Sequence, residues 1–358
     1  MIRIAMLSFW HVHGKDYARE TEEHPDTEIV AIWDEVPERG RAEAAKRNVP
    51  FFENLDELLA QPNVDAVVVD APTSMHREVM TKAARAGKHI FTEKVIAATL
   101  RDAEEIVREA ERAGVIFLVS MRRLPFASTR AVKAIIDQGL LGDLTLVSVR
   151  DAHSAVLPTA ENPRGRLSDS FLDPKLAQGG ALIDMCHSVY LVRYFLGQVE
   201  SVSATFGYRS GRQVEDNAVV TVRTASGGIG IIEAGYVVRA APFEIEVHGT
   251  EGSLLYSEMG LGERGVRRNQ GLPAEGAASP DGKLRVFSTK FENIDWQVRD
   301  VTDDAPKWFD QWVTHIQQKT TADENIALGL ELSALIEAAY RSASTGQSIR
   351  LDTLEHMT

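Results

Sequence analysis

The sequence predicts an α/β protein that begins with a doubly wound parallel sheet and continues with antiparallel strands. Up to about residue 122, short apolar runs alternate with stretches of helical spacing, which is typical of parallel strands joined by crossover helices. After Arg123 this rhythm ends, and strands with one polar face begin. With 358 residues the chain is longer than most single domains, so we expect two domains, 1–122 and 123–358.

The predicted strands of the N-terminal domain are short apolar runs at 3–7, 28–33, 65–70, 89–92 and 115–119. The third run lies in VDAVVVD, which is almost continuously apolar, as expected of a strand covered on both faces. A helix of about three turns is predicted between the last two runs by one apolar stripe. The stripe consists of Leu100, Ala103, Ile106, Val107 and Ala110.

In the C-terminal domain, FEIEVH alternates Phe243, Ile245 and Val247 with polar residues, which predicts a strand with one polar face in an antiparallel sheet. Further strands are predicted at 143–151, 199–208, 216–224 and 228–238. Helices are predicted at 180–196 and, as a pair, near 305–344. The glycine-rich segment 258–284 predicts a long loop that could act as a lid.

Composition and charge exclude several classes of protein. The formal net charge is −13 and no basic block occurs, so we expect no nucleic-acid partner. We expect a cytoplasmic enzyme without membrane contact, because strand-like residues begin at Ile2 and no apolar run approaches ~18 residues. The single cysteine, Cys186, excludes an intrachain disulfide and a cysteine-cluster metal site. Any redox chemistry therefore requires a cofactor.

The stretch LSFWHVHG follows the first strand, at the carboxyl edge where doubly wound sheets bind ligands. A dinucleotide-binding turn has three spaced glycines, but Ser8, Trp10 and His13 occupy those positions here. An ordinary strand-to-helix turn is therefore an open alternative. However, Asp34 ends the second strand roughly twenty residues later, where a carboxylate would accept bonds from ribose hydroxyls. An acid at this position also repels a 2′-phosphate, which favours NAD over NADP.

Several motifs together resemble the Gfo/Idh/MocA oxidoreductases, the glucose-fructose oxidoreductase and inositol dehydrogenase family. The motifs are APTSMH at 71–76, AGKHIFTEKV at 86–95 and QGGALIDMCH at 178–187, with RR at 122–123, DQGLLGDL at 137–144, EDNAVV at 215–220, HGTEGSL at 248–254 and AAYRSASTGQSIRL near the C-terminus. Their order and spacing are more specific than any one of them.

This resemblance implies an N-terminal Rossmann domain and a C-terminal α+β domain with an open, mostly antiparallel sheet. It also implies hydride transfer between a nicotinamide cofactor and a hydroxyl of a sugar or polyol. The sheet of such a domain often forms the subunit interface, so we expect a homodimer or homotetramer.

Lys94 is the first candidate catalytic residue, because it follows a strand directly and its family counterpart contacts both cofactor and substrate. The family motif is Glu-Lys-Pro, and here Val95 replaces the proline, which removes a residue that fixes the backbone. The alternative is that Lys94 is a solvated surface charge.

Asp184 and His187 are the other candidates, with His187 as base and Asp184 as acceptor from a substrate hydroxyl. The family spacing is four residues with an intervening glycine, whereas here it is three and the glycine is missing. One deleted residue rotates the histidine by about 100° relative to the acid on a helix. The alternative is an aspartate that satisfies backbone amides at a helix N-terminus, with the histidine packed beside Cys186.

The remaining site residues come from the strand ends and the domain junction. The expected cofactor-binding residues are Ser8, Phe9, Trp10, His11, Val12, His13, Asp34, Ala71, Pro72, Thr73, His76, Glu93 and Lys94. The expected substrate-binding residues are Lys94, Arg122, Arg123, His153, Asp184 and His187. His76 has a structural alternative, which is to brace the helix that follows it.

A turn without glycines can still bind pyrophosphate, because backbone amides and a helix N-terminus make the contacts. The imidazoles of His11 and His13 could also donate to phosphate oxygens. If Trp10 pointed inward it would block the site, and the chain would be a family member with altered cofactor binding. A further alternative is a metal-dependent hydrolase or lyase on this scaffold, with His11, His13, Asp184 and His187 as ligands. The last alternative is a catalytically altered NAD-binding protein of the same family, which would bind the cofactor without turnover.

Overall fold

The computed structural model describes residues 1–241, 243–258, 283–301 and 304–354. These residues form two compact units. The first unit contains Met1–Met121, Lys175–Gln178 and Pro306–Ser333, and the second contains Arg122–Pro174, Gly179–Ala305 and Ala334–Thr358.

The first unit is built around a six-stranded parallel sheet, with strand order β3-β2-β1-β4-β5-β6 within the described residues. Its strands are β1 (Ile2–Leu7), β2 (Thr27–Trp33), β3 (Phe51–Phe52), β4 (Ala66–Val69), β5 (His89–Glu93) and β6 (Phe117–Ser120). The helices between them are α1 (Gly14–Glu23), α2 (Pro37–Arg47), α3 (Leu55–Leu59), α4 (His76–Arg85) and α5 (Leu100–Ala113). The predicted doubly wound fold is confirmed.

The strand order reverses between β1 and β4, and this reversal places four polar residues along one edge. Leu7 of β1 is level with Trp33 of β2 and with Val69 of β4, and Val69 is in turn level with Thr92 of β5. The next residues in these strands are Ser8, Asp34, Asp70 and Glu93. The register of the parallel sheet therefore brings these four residues to the carboxyl edge.

Helix α5 shows how local sequence determines an element of this unit. The Thr99 side chain accepts a hydrogen bond from the Asp102 amide at 3.2 Å, and Gly114 ends the helix with φ +65°. The predicted apolar stripe is buried at Ala103, Ile106, Val107 and Ala110.

The second unit contains a nine-stranded mixed sheet, with order β14-β13-β12-β11-β7-β10-β9-β8-β15 within the described residues. The strands are β7 (Leu144–Ala152), β8 (Ser201–Gly207), β9 (Asn217–Arg223), β10 (Ile229–Gly235), β11 (Glu244–Gly249), β12 (Gly252–Ser257), β13 (Lys283–Ser288), β14 (Gln297–Asp300) and β15 (Ile349–Arg350). The helices of this unit are α6 (Ala127–Asp137), α8 (Ala181–Asp184) and α9 (His187–Leu196), and the short helix α7 (Pro174–Ala177) lies mostly in the first unit. Only the β7–β10 pair is parallel among these strands, so the predicted mostly antiparallel sheet is confirmed.

Helix α9 covers one face of this sheet. Residues of β9 alternate between exposed and buried, with Ala218, Val220 and Val222 on the buried face. Gly230 of β10 allows close packing, because an added Cβ would lie 2.4 Å from the Val192 side chain of α9.

The single helix predicted at 180–196 is wrong. The structure has two helices, α8 and α9, separated at Met185 and Cys186. The physical reason is that each helix has its own tertiary anchor. Backbone groups of α8 bond to Glu215 of the second unit, whereas α9 packs on the face of the sheet.

The predicted pair of helices near 305–344 is present as α10 (Trp308–Gln318) and α11 (Asp323–Thr345). Phe309 and Trp312 of α10 are buried against Phe91 in the core of the first unit. Among the described residues, no helix combines the length and apolar character needed to cross a bilayer. Most of the predicted lid, residues 259–282, lies outside the described residues.

Candidate functional site

The turn after β1 is made without glycine. Ser8 is fully buried and has φ +77°, a left-handed conformation that normally favours glycine. Its amide donates to the Trp33 carbonyl at 2.7 Å, and its Oγ accepts from the Trp10 amide at 3.1 Å. These bonds hold a serine in the position that a dinucleotide-binding turn gives to its first glycine.

The close approach in this turn occurs instead at Gly14, the first residue of α1. An added Cβ would lie 2.4 Å from Asp70 Oδ2 and 3.2 Å from Phe9 Cα. Phe9 packs into the core, and Val12 is 58% exposed. Sequence reasoning missed Gly14, because the glycine is displaced by one residue from the third position of the motif.

Asp34 is engaged by protein groups on both carboxylate oxygens. Oδ2 accepts from the Phe9 amide at 3.0 Å and from Arg39 Nε at 2.8 Å. Oδ1 accepts from the Val36 amide at 2.8 Å and from Arg39 Nη2 at 2.7 Å. Burial lowers the pKa of Arg39, but its bonds to Asp34 and the charge of Glu35 outweigh this and raise it overall. The predicted ribose acceptor is therefore covered by an arginine that sequence reasoning missed.

Glu93 and Lys94 form a buried ion pair at the end of β5. Lys94 Nζ lies 3.3 Å from Glu93 Oε1, and both side chains are almost fully buried. His13 Nδ1 lies 3.2 Å from Glu93 Oε2, and the Tyr17 hydroxyl also bonds this carboxylate. Burial raises the pKa of Glu93, but the charges of His11, His13 and Lys94 outweigh it and hold the pKa well below its usual range. Lys94 is thus a fixed, buried cation.

The two imidazoles of the turn lie beside this ion pair. The ring centroids of His11 and His13 are 4.6 Å apart, and His11 Nδ1 accepts from the His13 amide at 3.2 Å. The Trp10 ring centroid lies 6.2 Å from that of His11. One ligand atom from each of His11, His13 and Glu93 lies within 4.8 Å of the others.

Asp70 directly follows β4, at the point where the strand order reverses. It is fully buried, and neither carboxyl oxygen has a hydrogen-bond partner among the described residues. Burial, followed by the charge of Glu93, raises the pKa of Asp70 well above its usual value. Sequence reasoning treated this residue as the end of an apolar strand and missed it.

His76 braces the loops that follow β4 and β5. Its Nε2 lies 3.0 Å from the Ala71 carbonyl, and its Nδ1 lies 3.0 Å and 3.1 Å from the carbonyls of Val95 and Ile96. Burial lowers the pKa of this imidazole. Pro72 precedes the short 3-10 turn Thr73–Met75. His76 therefore joins the loop after β4 to the loop that begins at Lys94.

In the second unit, Asp184 and His153 meet at Tyr236. The Tyr236 hydroxyl donates to Asp184 Oδ2 at 2.8 Å. The His153 ring stacks on the Tyr236 ring, with centroids 5.1 Å apart and planes inclined by 12°. Tyr236 carries no motif signal, which is why sequence reasoning missed it.

His187 begins α9 and is oriented by Tyr190. Its Nδ1 lies 2.9 Å from the Tyr190 hydroxyl, which also accepts from the Arg123 amide at 3.0 Å. Burial raises the pKa of Tyr190 well above its usual value, so the phenol stays neutral. The neighbouring Cys186 is buried, in agreement with a packing role.

Arg123 contacts three buried residues of the second unit. Its guanidinium carbon lies 3.5 Å from the Phe243 ring centroid, and its nitrogens lie 3.1 Å from Glu258 and 3.4 Å from Asp151. Arg122, the first residue of the second unit, is half-buried. The two predicted arginines therefore differ: the guanidinium of Arg123 is buried in ion pairs, whereas Arg122 is half-buried.

Glu215 holds the segment that carries Asp184. Its carboxylate accepts from the amides of Gly180 and Leu182, each at 2.9 Å, and from the Tyr340 hydroxyl at 2.6 Å. Burial raises the pKa of Glu215 against the effect of these donors. The EDNAVV and QGGALIDMCH motifs are therefore joined through one carboxylate.

Both parts of the chain match models of one known protein family. Residues 3–121 match "Oxidoreductase family, NAD-binding Rossmann fold", and residues 129–255 match "GFO/IDH/MocA C-terminal domain". The chain belongs to the Gfo/Idh/MocA family. Membership confirms the resemblance derived from the motifs, including those in the second unit.

Curated relatives in this family extend over most of the chain. One is a 1,5-anhydro-D-fructose reductase of Ensifer adhaerens, 29% identical over 341 residues, covering 91% of this chain and 92% of the relative. Another is a scyllo-inositol 2-dehydrogenase (NAD(+)) of Bacillus subtilis, 32% identical over 273 residues, covering 71% of this chain and 73% of the relative.

Solved structures show the same fold across the whole chain. A putative NADPH-dependent oxidoreductase from Desulfitobacterium hafniense has a TM-score of 0.80 at 17% identity, covering 99% of this chain and 98% of that chain. A levoglucosan dehydrogenase solved with NADH and levoglucosan has a TM-score of 0.76 at 18% identity, covering 98% of this chain and 99% of that chain.

Proposed function

We propose that this family member is an NAD-dependent dehydrogenase that transfers a hydride between the nicotinamide and a hydroxyl of a sugar or polyol. The observation that carries the proposal is the buried Lys94–Glu93 ion pair at the carboxyl end of β5. The relatives named above support the substrate class, because their names refer to an anhydro sugar and to an inositol. Domain 1–122 would bind the cofactor, and domain 123–358 would bind substrate.

The first unit suits a dinucleotide in three respects. Its strand order reverses beside β1, Ser8 adopts the left-handed turn, and Gly14 allows close approach at the start of α1. The amides near the start of α1 and the imidazoles of His11 and His13 would hold the pyrophosphate. When bound, the nicotinamide supplies the hydride acceptor or donor.

Lys94 is assigned to the reacting hydroxyl. Its ammonium is fixed by Glu93 and buried, so it can hold a hydroxyl oxygen and stabilise the negative charge that develops there as the hydroxyl proton is removed. A charge of this kind acts more strongly in a dry environment than in water.

His187 is assigned as the base that removes the hydroxyl proton at Nε2. For this role its other proton must lie on Nδ1 and be donated to the Tyr190 oxygen, 2.9 Å away. Asp184, fixed by Tyr236, would accept a bond from a second substrate hydroxyl. Arg122, Arg123 and His153 stay in the proposed substrate-binding set.

We assign NAD rather than NADP as the preferred cofactor. Asp34, Glu35 and Arg39 meet at the end of β2, so two carboxylates and one guanidinium leave one net negative charge. That charge opposes binding of a 2′-phosphate. Arg39 moderates the preference, because it occupies Asp34 and would itself attract a phosphate.

The open sheet of the second unit is the proposed subunit interface of a homodimer or homotetramer. Val219 of β9 is 45% exposed and Ile229 of β10 is 40% exposed, so this sheet presents apolar side chains to solvent. Sedimentation of the purified protein tests the assignment, and a monomer at micromolar concentration would contradict it.

The experiment that tests the function has two steps. Quenching of protein fluorescence by NADH and by NADPH gives the two affinities, with Trp10→Phe to identify the tryptophan nearest the proposed pyrophosphate site. A screen of sugars and polyols with NAD⁺ then follows the appearance of NADH.

Lys94→Ala should lower kcat by a factor of about 10² or more, while much of the NADH affinity is retained. Lys88→Ala is the matched control, because Lys88 is also buried but precedes β5 and bonds the carbonyls of Gln61 and Val64. Its turnover should be unchanged. Absence of NADH binding, or undiminished turnover in Lys94→Ala, would refute the assignment.

A further inference from the structure

His11, His13 and Glu93 have ligand atoms that all lie within 4.8 Å of one another in the first unit. We propose that these three side chains bind a divalent transition metal ion of the zinc type, and that the bound ion excludes the dinucleotide. Two imidazoles and one carboxylate are the donor set that zinc takes in open sites, with water as the fourth ligand.

The ligands come from two segments of the first unit. His11 and His13 lie two residues apart on the turn that precedes α1, and Glu93 is the last residue of β5. His13 Nδ1 and Glu93 Oε2 are 3.2 Å apart. Tetrahedral zinc with bonds of roughly 2.0–2.1 Å needs neighbouring ligand atoms roughly 3.3 Å apart. This pair is therefore already at the distance that one ion requires.

His11 completes the set after a small adjustment. Its ring centroid is 4.6 Å from that of His13, and its Nδ1 accepts a long bond of 3.2 Å from the His13 amide. Coordination through Nδ1 would replace that bond. The His13 side chain is 22% exposed, which gives an ion a path from solvent to the buried carboxylate.

The charges around this triad favour a cation. Glu93 and Asp70 are two fully buried carboxyl groups, and Lys94 is paired with the Oε1 oxygen of Glu93. Neither carboxyl oxygen of Asp70 has a hydrogen-bond partner among the described residues, so no hydrogen bond compensates the burial of this group. An ion on Oε2 of Glu93 would add positive charge beside both carboxyls without displacing Lys94.

Exclusion of the dinucleotide rests on the proposed function, whereas metal binding does not. The turn that supplies His11 and His13 is the proposed pyrophosphate site. An ion held by both imidazoles would remove them as phosphate ligands.

The test uses the untagged full-length protein, first stripped with a chelator and then dialysed. Titration with Zn²⁺ in a calorimeter, and with Co²⁺ by visible absorption, should show one ion per chain, with the d–d bands of a four-coordinate nitrogen and oxygen site. His11→Ala and His13→Ala should each weaken binding at least about tenfold. His248→Ala, on β11 of the second unit, should leave binding unchanged.

Circular dichroism shows that each variant is folded. Absence of the cobalt bands, or equal zinc affinity in the wild type and His13→Ala, would overturn the proposed site.

Competition is measured as the NADH dissociation constant with and without saturating zinc. We expect zinc to raise this constant in the wild type and to leave it unchanged in His13→Ala. An unchanged constant in the wild type would overturn the exclusion. Failure of the metal-free protein to bind NADH would instead contradict the proposed function. The metal site would still be tested, because the zinc and cobalt titrations contain no dinucleotide.

Discussion

Arg39 forms two hydrogen bonds to Asp34, from Nε to Oδ2 at 2.8 Å and from Nη2 to Oδ1 at 2.7 Å. The amides of Phe9 and Val36 donate to the same two oxygens. Under the proposed function, ribose hydroxyls would therefore compete with a guanidinium for this carboxylate.

Arg39→Gln should shift cofactor preference toward NAD. The substitution removes the only cation of the Asp34–Glu35–Arg39 group, so repulsion of a 2′-phosphate increases. We expect the ratio of NADPH to NADH dissociation constants to rise about tenfold, equivalent to about 1.4 kcal/mol. Fluorescence titrations measure both constants. Arg41→Gln on the same helix, where Arg41 pairs with exposed Glu53, is the control, and an unchanged ratio in Arg39→Gln would be evidence against the role of Arg39.

Asp70→Asn should stabilise the first unit at neutral pH. The pKa of Asp70 is raised in the folded protein, chiefly by burial, so the folded state binds more protons than the unfolded state. The free energy of unfolding therefore falls as pH rises from the unfolded pKa toward the folded pKa. Asparagine does not ionise, so the variant does not lose this stability as pH rises. Its free energy of unfolding should therefore increasingly exceed that of the wild type between about pH 4 and neutrality in chelator-containing buffer.

Asp65→Asn is the matched variant at the other end of the same strand, and its effect should have the opposite sign. Hydrogen bonding to Arg3 lowers the pKa of Asp65, so its contribution to stability is present above the unfolded pKa and is lost as pH falls. Chemical denaturation across pH measures both variants. If the free energy of unfolding had the same pH dependence in Asp70→Asn and in the wild type, the pKa of Asp70 would not be raised in the folded protein.

Gly14→Ala should damage both stability and NADH binding. The added methyl would lie 2.4 Å from Asp70 Oδ2 and 3.2 Å from the Phe9 backbone, so the start of α1 must move. We expect a loss of about 1–3 kcal/mol in the free energy of unfolding. Gly207→Ala on β8 is the control, because its nearest atom would be at an ordinary 3.4 Å. Equal melting temperatures for the two variants would contradict the close approach.

Tyr236→Phe should lower kcat/KM about tenfold on the substrate found in the polyol screen. The variant removes the hydrogen bond that holds Asp184, and a bond from hydroxyl to carboxylate is a strong, charge-assisted one. Steady-state kinetics separate kcat from KM, and the NADH affinity should be unchanged because Tyr236 lies in the second unit. Tyr208→Phe, at a tyrosine that is 55% exposed, is the control. Wild-type kinetics for Tyr236→Phe would remove this residue from the positioning of Asp184.

Elements with strong local patterns were predictable. The stripe on α5 and the alternation in β11 depend on the periods of a helix and a strand, which nearby residues determine. The position of Lys94 directly after a strand follows from the same local reasoning. The two separate helices at Asp184 and His187 were not predictable, because their anchors are Glu215 and the sheet.

By itself, the sequence determined the order of strands and helices, the family, and the set of polar residues at the strand ends, because these depend on periodicity and on short motifs. Only the tertiary structure decided that Arg39 covers Asp34 and that Tyr236 holds Asp184. It also decided that the buried carboxyl of Asp70 has no hydrogen-bond partner among the described residues. Asp70 and Tyr236 are placed by contacts between residues distant in the chain, and the reach of Arg39 depends on how α2 packs beside β2. Such contacts follow from strand register and helix packing, which no local pattern encodes.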